Sequence, residues 1–197
     1  MREKTRMAEE DWQATWQPMV EAVGRDFAPD EVVWGADPIE ASAVRRYLEP
    51  LEFDCPLHYD EAAARAHGYD GVVAPNTSLL TFALPALWQP GEAIFASAER
   101  DAQPTRSPVT GRRTALEPPT TGYFATDFEM DYLRPVVVGD RIGRRGARLV
   151  ACAPKETTVG RGAFLTWESE MVNQRGEVVA RLRLGTYRYQ PYPEQAA

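Results

Sequence analysis

Apolar and polar residues alternate through the last third of the chain. In "EVVARLRLGTYRY" (177–189) Val178, Ala180, Leu182 and Leu184 fall on one face and Arg181, Arg183 and Tyr187 on the other, the period of a half-buried strand. "YFATDFEMDYL", "RIGRRGARLVACA" and "RGAFLTWESEMVN" read as three further strands, and "NQRGE" between the last two runs as a hairpin turn with Gly176 available for a positive φ. Upstream the period changes. Residues 8 to about 23 set Trp12, Trp16, Met19, Val20 and Val23 at helical spacing, which predicts an amphipathic N-terminal helix. "EVVWGAD" reads as a short strand. In "DPIEASAVRRYLEP" Asp37 is the expected N-cap, Pro38 lies in the first turn, Ile39, Val44 and Leu48 are apolar, and Pro50 stops the helix. "YDEAAARAHGYDG" predicts a short helix capped by Asp60 and ended by Gly68.

"NTSLLTFALPALW" (76–88) is apolar almost all round, as a helix buried inside a fold would be, and Pro85 should kink or end it. From Gln89 to Thr121 five of the sixteen prolines occur without a sustained period, so a long loop or insertion is expected. Four antiparallel-type strands after one very apolar helix predict an α+β fold, a sheet curled around that helix.

Composition narrows the function classes. A chain of 197 residues can bury a sizeable core without disulfides or a structural metal. The net charge of −7 argues against nucleic acid, whose phosphates demand an electropositive face. The basic exception is "RIGRRGARL" (141–149), read either as a solvated sheet face or as a docking patch for an anionic ligand such as a CoA phosphate. No run approaches the roughly 20 apolar residues of a membrane span. The N-terminus lacks the apolar stretch of a secretory signal, which predicts a cytoplasmic protein. Cys55 and Cys152 lie far apart with no metal-ligand spacing, so free thiols and no metal are expected.

The candidate chemistry lies in "FDCPLHYDEAAARAHGYDGVVAPNTSLL" (53–80), followed some fifty positions later by "DYLRPVVVGDRI". These two stretches, in this order, resemble the MaoC-like dehydratase or (R)-specific enoyl-CoA hydratase family. The likeness is greatest to the subunits of heteromeric mycolic-acid dehydratases and steroid side-chain hydratases. It covers roughly residues 30 to 190, which would form one domain with the 89–121 insertion, after an N-terminal helical extension (1–29) and before a tail (191–197).

The resemblance implies a hot-dog fold, an antiparallel sheet wrapped around a central helix beginning near Asn76. It also implies an acyl-CoA thioester substrate and a homodimer or heterodimer with another hot-dog subunit. No metal or organic cofactor, nucleic acid or membrane is implied. In the family an Asp and a His from a motif D-x-N-P-hydrophobic-H hold a water and move its proton. Water is a poor nucleophile at neutral pH, so one group must accept its proton while another protonates the α-carbon; histidine suits that exchange.

Laid on this sequence, Pro56, Leu57 and His58 match the end of the motif, Cys55 takes the Asn position, and Phe53 stands where the catalytic Asp belongs. Three readings follow. Asp54, one residue later, reaches the water and serves beside His58 as the catalytic pair. Alternatively this chain is the degenerate half of a heteromer and shapes the acyl tunnel. The third is another hot-dog chemistry, such as thioester hydrolysis, or a purely structural His58. Asp60 is expected to be only a cap and His67 a solvated last-turn residue. Phe53 and Tyr59 are candidate tunnel residues. Asn76 and Thr77, at the start of the central helix, are the candidate site for the thioester carbonyl, because early helical N–H groups lack intrahelical acceptors.

Overall fold

The alternating runs pair into one five-stranded antiparallel sheet of order β1-β3-β4-β5-β2. The strands are β1 (Val32–Trp34), β2 (Gly122–Tyr132), β3 (Ile142–Thr157), β4 (Gly160–Asn173) and β5 (Val178–Pro191). The computed structural model describes residues 12–107 and 112–192. All four C-terminal runs are strands, and Gly176 (φ 77°) makes the expected turn between β4 and β5.

The two faces of the sheet follow from strand alternation. Along β4, Glu168 and Glu170 face outward and pair with Arg148, Arg183 and Arg145. The odd-numbered residues of the strand face inward, and Ala163, Leu165, Met171 and Asn173 are fully buried. At one end Leu165 and Trp167 pack under Trp16 and Met19 of the N-terminal segment. At the other end Met171 packs with Leu182, Ile39, Val44, Leu48 and Leu79. Each fully buried aliphatic side chain contributes about 1.5–3 kcal/mol. The inward face thus carries two separate helical lids.

Both lids are shorter than the apolar patterns predict. The described part of the N-terminal helix is a 3₁₀ turn, Ala14–Trp16, and α1 (Gln17–Glu21); residues 8–11 of the expected helix lie outside the described residues. Gly24 (φ 93°) ends this segment, with its N–H donating to Leu149 O at 2.8 Å. Helix α2 (Ala41–Leu48) begins after the expected Asp37 cap. The reason is tertiary: Ile39 N–H donates to Asp140 O and Gly139 N–H to Ile39 O, both at 2.8 Å, so residue 39 is held in a strand-like pairing and cannot enter the first turn.

Helix α3 (Glu61–Ala66) forms as expected. Asp60 accepts from Ala62 N–H at 2.8 Å and Ala63 N–H at 3.2 Å, and Gly68 (φ 86°) follows its end. The central helix is cut short: a 3₁₀ turn, Asn76–Ser78, leads into α4 (Leu79–Phe82) and no further. A proline ring clashes with the carbonyl four residues back, so Pro85 forbids a helix through Thr81. The chain after α4 instead meets β1, where Ala36 N–H donates to Leu84 O at 2.9 Å. Gly35 permits this closeness, since a Cβ there would lie 2.0 Å from Phe82 O. Among the described residues no helix is long and apolar enough to cross a membrane.

The 89–121 insertion contains neither helix nor strand among its described residues. It is nevertheless tied down. Glu92 pairs with Arg106, Thr114 Oγ1 donates to Met19 Sδ at 3.3 Å, and the Glu117 and Arg188 side chains form a buried ion pair at 3.1 Å.

Candidate functional site

Cys55 precedes Pro56 and is extended (φ −62°, ψ 120°), the conformation a following proline enforces. A 3₁₀ turn, Pro56–His58, then swings the imidazole inward. Val73 N–H donates to Leu57 O at 2.9 Å, and Ala74 N–H to Val136 O at 2.9 Å. The turn, residues 73–74 and the "RPVVVGD" stretch are therefore stitched side by side. Asp140 braces that stretch, its buried carboxylate accepting from Val137 N–H at 3.0 Å and Gln174 Nε2 at 2.9 Å.

His58 Nδ1 lies 2.6 Å from Val73 O. A carbonyl oxygen can only accept, so Nδ1 is the donor in this contact, and in the neutral imidazole the lone pair is on Nε2. The half-buried imidazole opens into a cleft of about 650 Å³ whose walls include Leu48, Leu57, Val73 and Ala74. Phe53, Asn76 and Thr77 line the same cleft. Ser78 is the first residue of its turn whose N–H is engaged, donating to Pro75 O at 3.0 Å; the N–H groups of Asn76 and Thr77 precede it. With only five helical residues, 78–82, behind them, an anion placed here would meet the N–H groups themselves more than a macrodipole.

Two expected site residues stand elsewhere. Asp54 is exposed and absent from the cleft lining, whereas Phe53 lines it with its ring centroid 5.5 Å from that of His58. Neighbouring side chains in this short segment point to opposite sides. Asp54 therefore lies outside the cleft that His58 lines. Tyr59 also lies outside the lining; its hydroxyl donates to Phe53 O at 2.7 Å and Arg45 lies 5.6 Å above its ring, so it braces the loop. His67 ends α3, with Nδ1 2.8 Å from Ala63 O.

Sequence reasoning missed Tyr69, Tyr132 and Arg134, which also line the cleft. The last two sit inside "DYLRPVVVGD", so the signal was present but unread. Among the described residues no group of three or more His, Cys, Asp and Glu side chains could hold a metal ion.

Residues 21–182 match the family model described as FAS1-like, dehydratase domain region. The chain belongs to this family. A probable enoyl-CoA hydratase alpha subunit of Thermomonospora curvata is 32% identical to this FAS1-like dehydratase chain over 159 residues, 80% of the chain and 47% of that protein. The 3-oxo-4,17-pregnadiene-20-carboxyl-CoA hydratase alpha subunit of Mycobacterium tuberculosis is 26% identical over 156 residues, 79% of the chain and 46% of that protein. The chain thus spans about half the length of these two relatives. A chain of the ChsH1-ChsH2 complex from Mycobacterium tuberculosis superposes with a TM-score of 0.61 at 22% identity, covering 92% of this chain and 93% of that one. A MaoC-like dehydratase gives 0.52 at 21% identity, over 86% of this chain and 42% of the other. These likenesses establish the MaoC-like hot-dog fold.

Proposed function

We propose that the chain is a hot-dog subunit of an enoyl-CoA hydratase or 3-hydroxyacyl-thioester dehydratase, acting on acyl-CoA thioesters. The observation that carries this reading is the His58 Nδ1 to Val73 O contact of 2.6 Å. It leaves Nε2 free to accept a proton inside an apolar-walled cleft that also holds the start of the short helix.

In hydration, Nε2 of His58 takes a proton as the water oxygen bonds to the β-carbon of the enoyl thioester. The double-bond electrons shift onto the thioester oxygen, where the N–H groups of Asn76 and Thr77 stabilise the enolate. The enolate then collapses and its α-carbon is protonated. With Phe53 in place of a carboxylate, His58 returns that proton itself, and dehydration runs the same path backwards.

A partner fits the edge of the sheet. β2 is an eleven-residue edge strand that exposes Tyr123, Phe124, Phe128 and Tyr132. A long apolar edge invites strand pairing, here with another hot-dog subunit in a homodimer or heterodimer.

The second reading, a non-catalytic subunit that only shapes the acyl tunnel, is favoured by Phe53 in the cleft and Asp54 outside it. The deciding assay offers crotonyl-CoA and longer enoyl-CoAs to the protein alone and mixed with a co-encoded hot-dog protein. Activity that Phe53→Asp raises supports His58 as the reacting group. Activity only on mixing, indifferent to Phe53→Asp and to His58→Ala, supports the non-catalytic reading. Release of free CoA thiol in place of hydration assigns a thioesterase.

A further inference from the structure

The inward face of the sheet holds a second cavity, of about 560 Å³, between the two helical lids. Its apolar wall includes Val33, Trp167, Leu182 and Leu184, and its rim carries five arginines: Arg106, Arg112, Arg113, Arg144 and Arg188. Glu92 is the one carboxylate of the lining. In a chain of net charge −7 this concentration of guanidinium groups is a local feature.

Two of the five have carboxylate partners. Arg106 pairs with Glu92 and also donates from Nε to Leu87 O at 3.0 Å. Arg188 pairs with Glu117 and donates from Nη2 to Arg112 O at 2.6 Å. Arg113 donates from Nη2 to Thr120 O at 2.9 Å and lies within electrostatic reach of Glu117. The guanidinium groups of Arg112 and Arg144 have no ion pair and no side-chain hydrogen bond among the described residues. Arg144 is half-buried, and burial together with the charge of Arg112 holds its pKa below the usual range.

Register explains why Arg144 is singled out. It stands beside Arg145 on β3, yet Arg145 points outward and pairs with Glu170 at 2.6 Å. Arg148 pairs with Glu168, also on the outer face, after a bulge at Gly146 (φ 76°). Arg145 and Arg148 of "RIGRRGARL" are thus neutralised, while Arg144 enters a mixed polar and apolar cavity beside a like charge. Desolvating an unpaired cation beside another cation is costly, and a shared anion relieves both at once.

We propose that this cavity is an anion-binding pocket in which Arg144 and Arg112 take a carboxylate or phosphate carried by a largely apolar ligand. Val33, Trp167, Leu182 and Leu184 contact the body of the ligand, and the guanidinium forks take its charged end. The pocket makes no use of His58, while the choice of ligand rests on the acyl-CoA reading proposed above. Two sources share this chemistry: a carboxylate at the far end of a long acyl group, or a phosphate of CoA.

The test is isothermal titration calorimetry on the full chain with a medium-chain α,ω-dicarboxylate, its dimethyl ester, CoA, 3′-dephospho-CoA and inorganic phosphate. An anion binds, its neutral or dephosphorylated counterpart binds less well, and Arg144→Leu weakens the anion on the order of ten- to hundredfold. Arg144→Lys, which keeps the charge and loses the fork, weakens it less, and His58→Ala leaves it unchanged. Binding of the dicarboxylate alone assigns the acyl carboxylate; binding of CoA and phosphate alone assigns the phosphate. The proposal is overturned if none of these anions binds, or if binding persists within about twofold in both folded Arg144 variants. It is equally overturned if binding is lost in His58→Ala while the Arg144 variants retain it.

Discussion

Removing the Glu117 carboxylate tests how the insertion is fastened to the sheet. Glu117 and Arg188 are only 3% and 4% exposed, with Nε and Oε2 3.1 Å apart. Those two atoms lack hydrogen-bond partners despite their separation, so the contact is an ion pair of poor angle. At an effective dielectric of about 20, their attraction is of order 5 kcal/mol, set against the desolvation of two charges. Burial pushes the Glu117 carboxyl up and the Arg188 guanidinium down, each against the pull of its partner. Glu117→Leu leaves Arg188 buried without a counter-charge and is expected to cost about 3–5 kcal/mol, while Glu117→Leu with Arg188→Met costs far less. In a domain of this size the single change lowers Tm by roughly 6–20 °C. Urea unfolding of the wild type, both single variants and the double variant supplies the coupling energy. Additivity within about 0.5 kcal/mol refutes the reasoning. Because the folded carboxyl lies above its unfolded value, the contribution of Glu117 to stability is full below about pH 4.3 and declines as pH rises through the folded value. Glu117→Gln removes that decline.

Burial, with a smaller contribution from the Glu117 charge, pushes the Cys152 thiol up to about 11. Iodoacetamide should therefore leave it unmodified at neutral pH and alkylate it only as the solution approaches that value, as peptide mass spectrometry can follow; fast labelling at pH 7 contradicts the burial. Gly35→Ala places a Cβ 2.0 Å from Phe82 O and is expected to cost about 1–3 kcal/mol in urea unfolding; an unchanged midpoint contradicts the close approach of α4 to β1. Phe128→Arg, on the exposed face of edge strand β2, should shift a dimer to monomer in light scattering without changing far-ultraviolet circular dichroism; an undisturbed dimer places the interface elsewhere.

The sheet was legible because strand alternation is a property of sequence alone, and "EVVARLRLGTYRY" shows it openly. The meeting of Phe53, His58, Asn76 and Thr77 in one cleft followed from motif resemblance, since their sequence separation carries no geometric signal. What failed was decided by tertiary contacts. Asp37 does not cap α2, because Asp140 O takes the N–H of Ile39. The run 76–88 is apolar throughout, yet Pro85 and the close meeting with β1 end the helix at Phe82. Asp54 was a candidate because it is one position from the motif, and one position is enough to turn a side chain away from the cleft. The fate of Arg144 depended on the register between β3 and β4, which no local pattern reveals.

The central claim is that His58, held by Val73 O, exchanges a proton with water added to an acyl-CoA thioester. Its most direct measurement is kcat for crotonyl-CoA hydration by the active assembly carrying His58→Ala, with folding verified by circular dichroism. The account predicts a loss of about 10²- to 10⁴-fold with little change in KM. An unchanged kcat contradicts it.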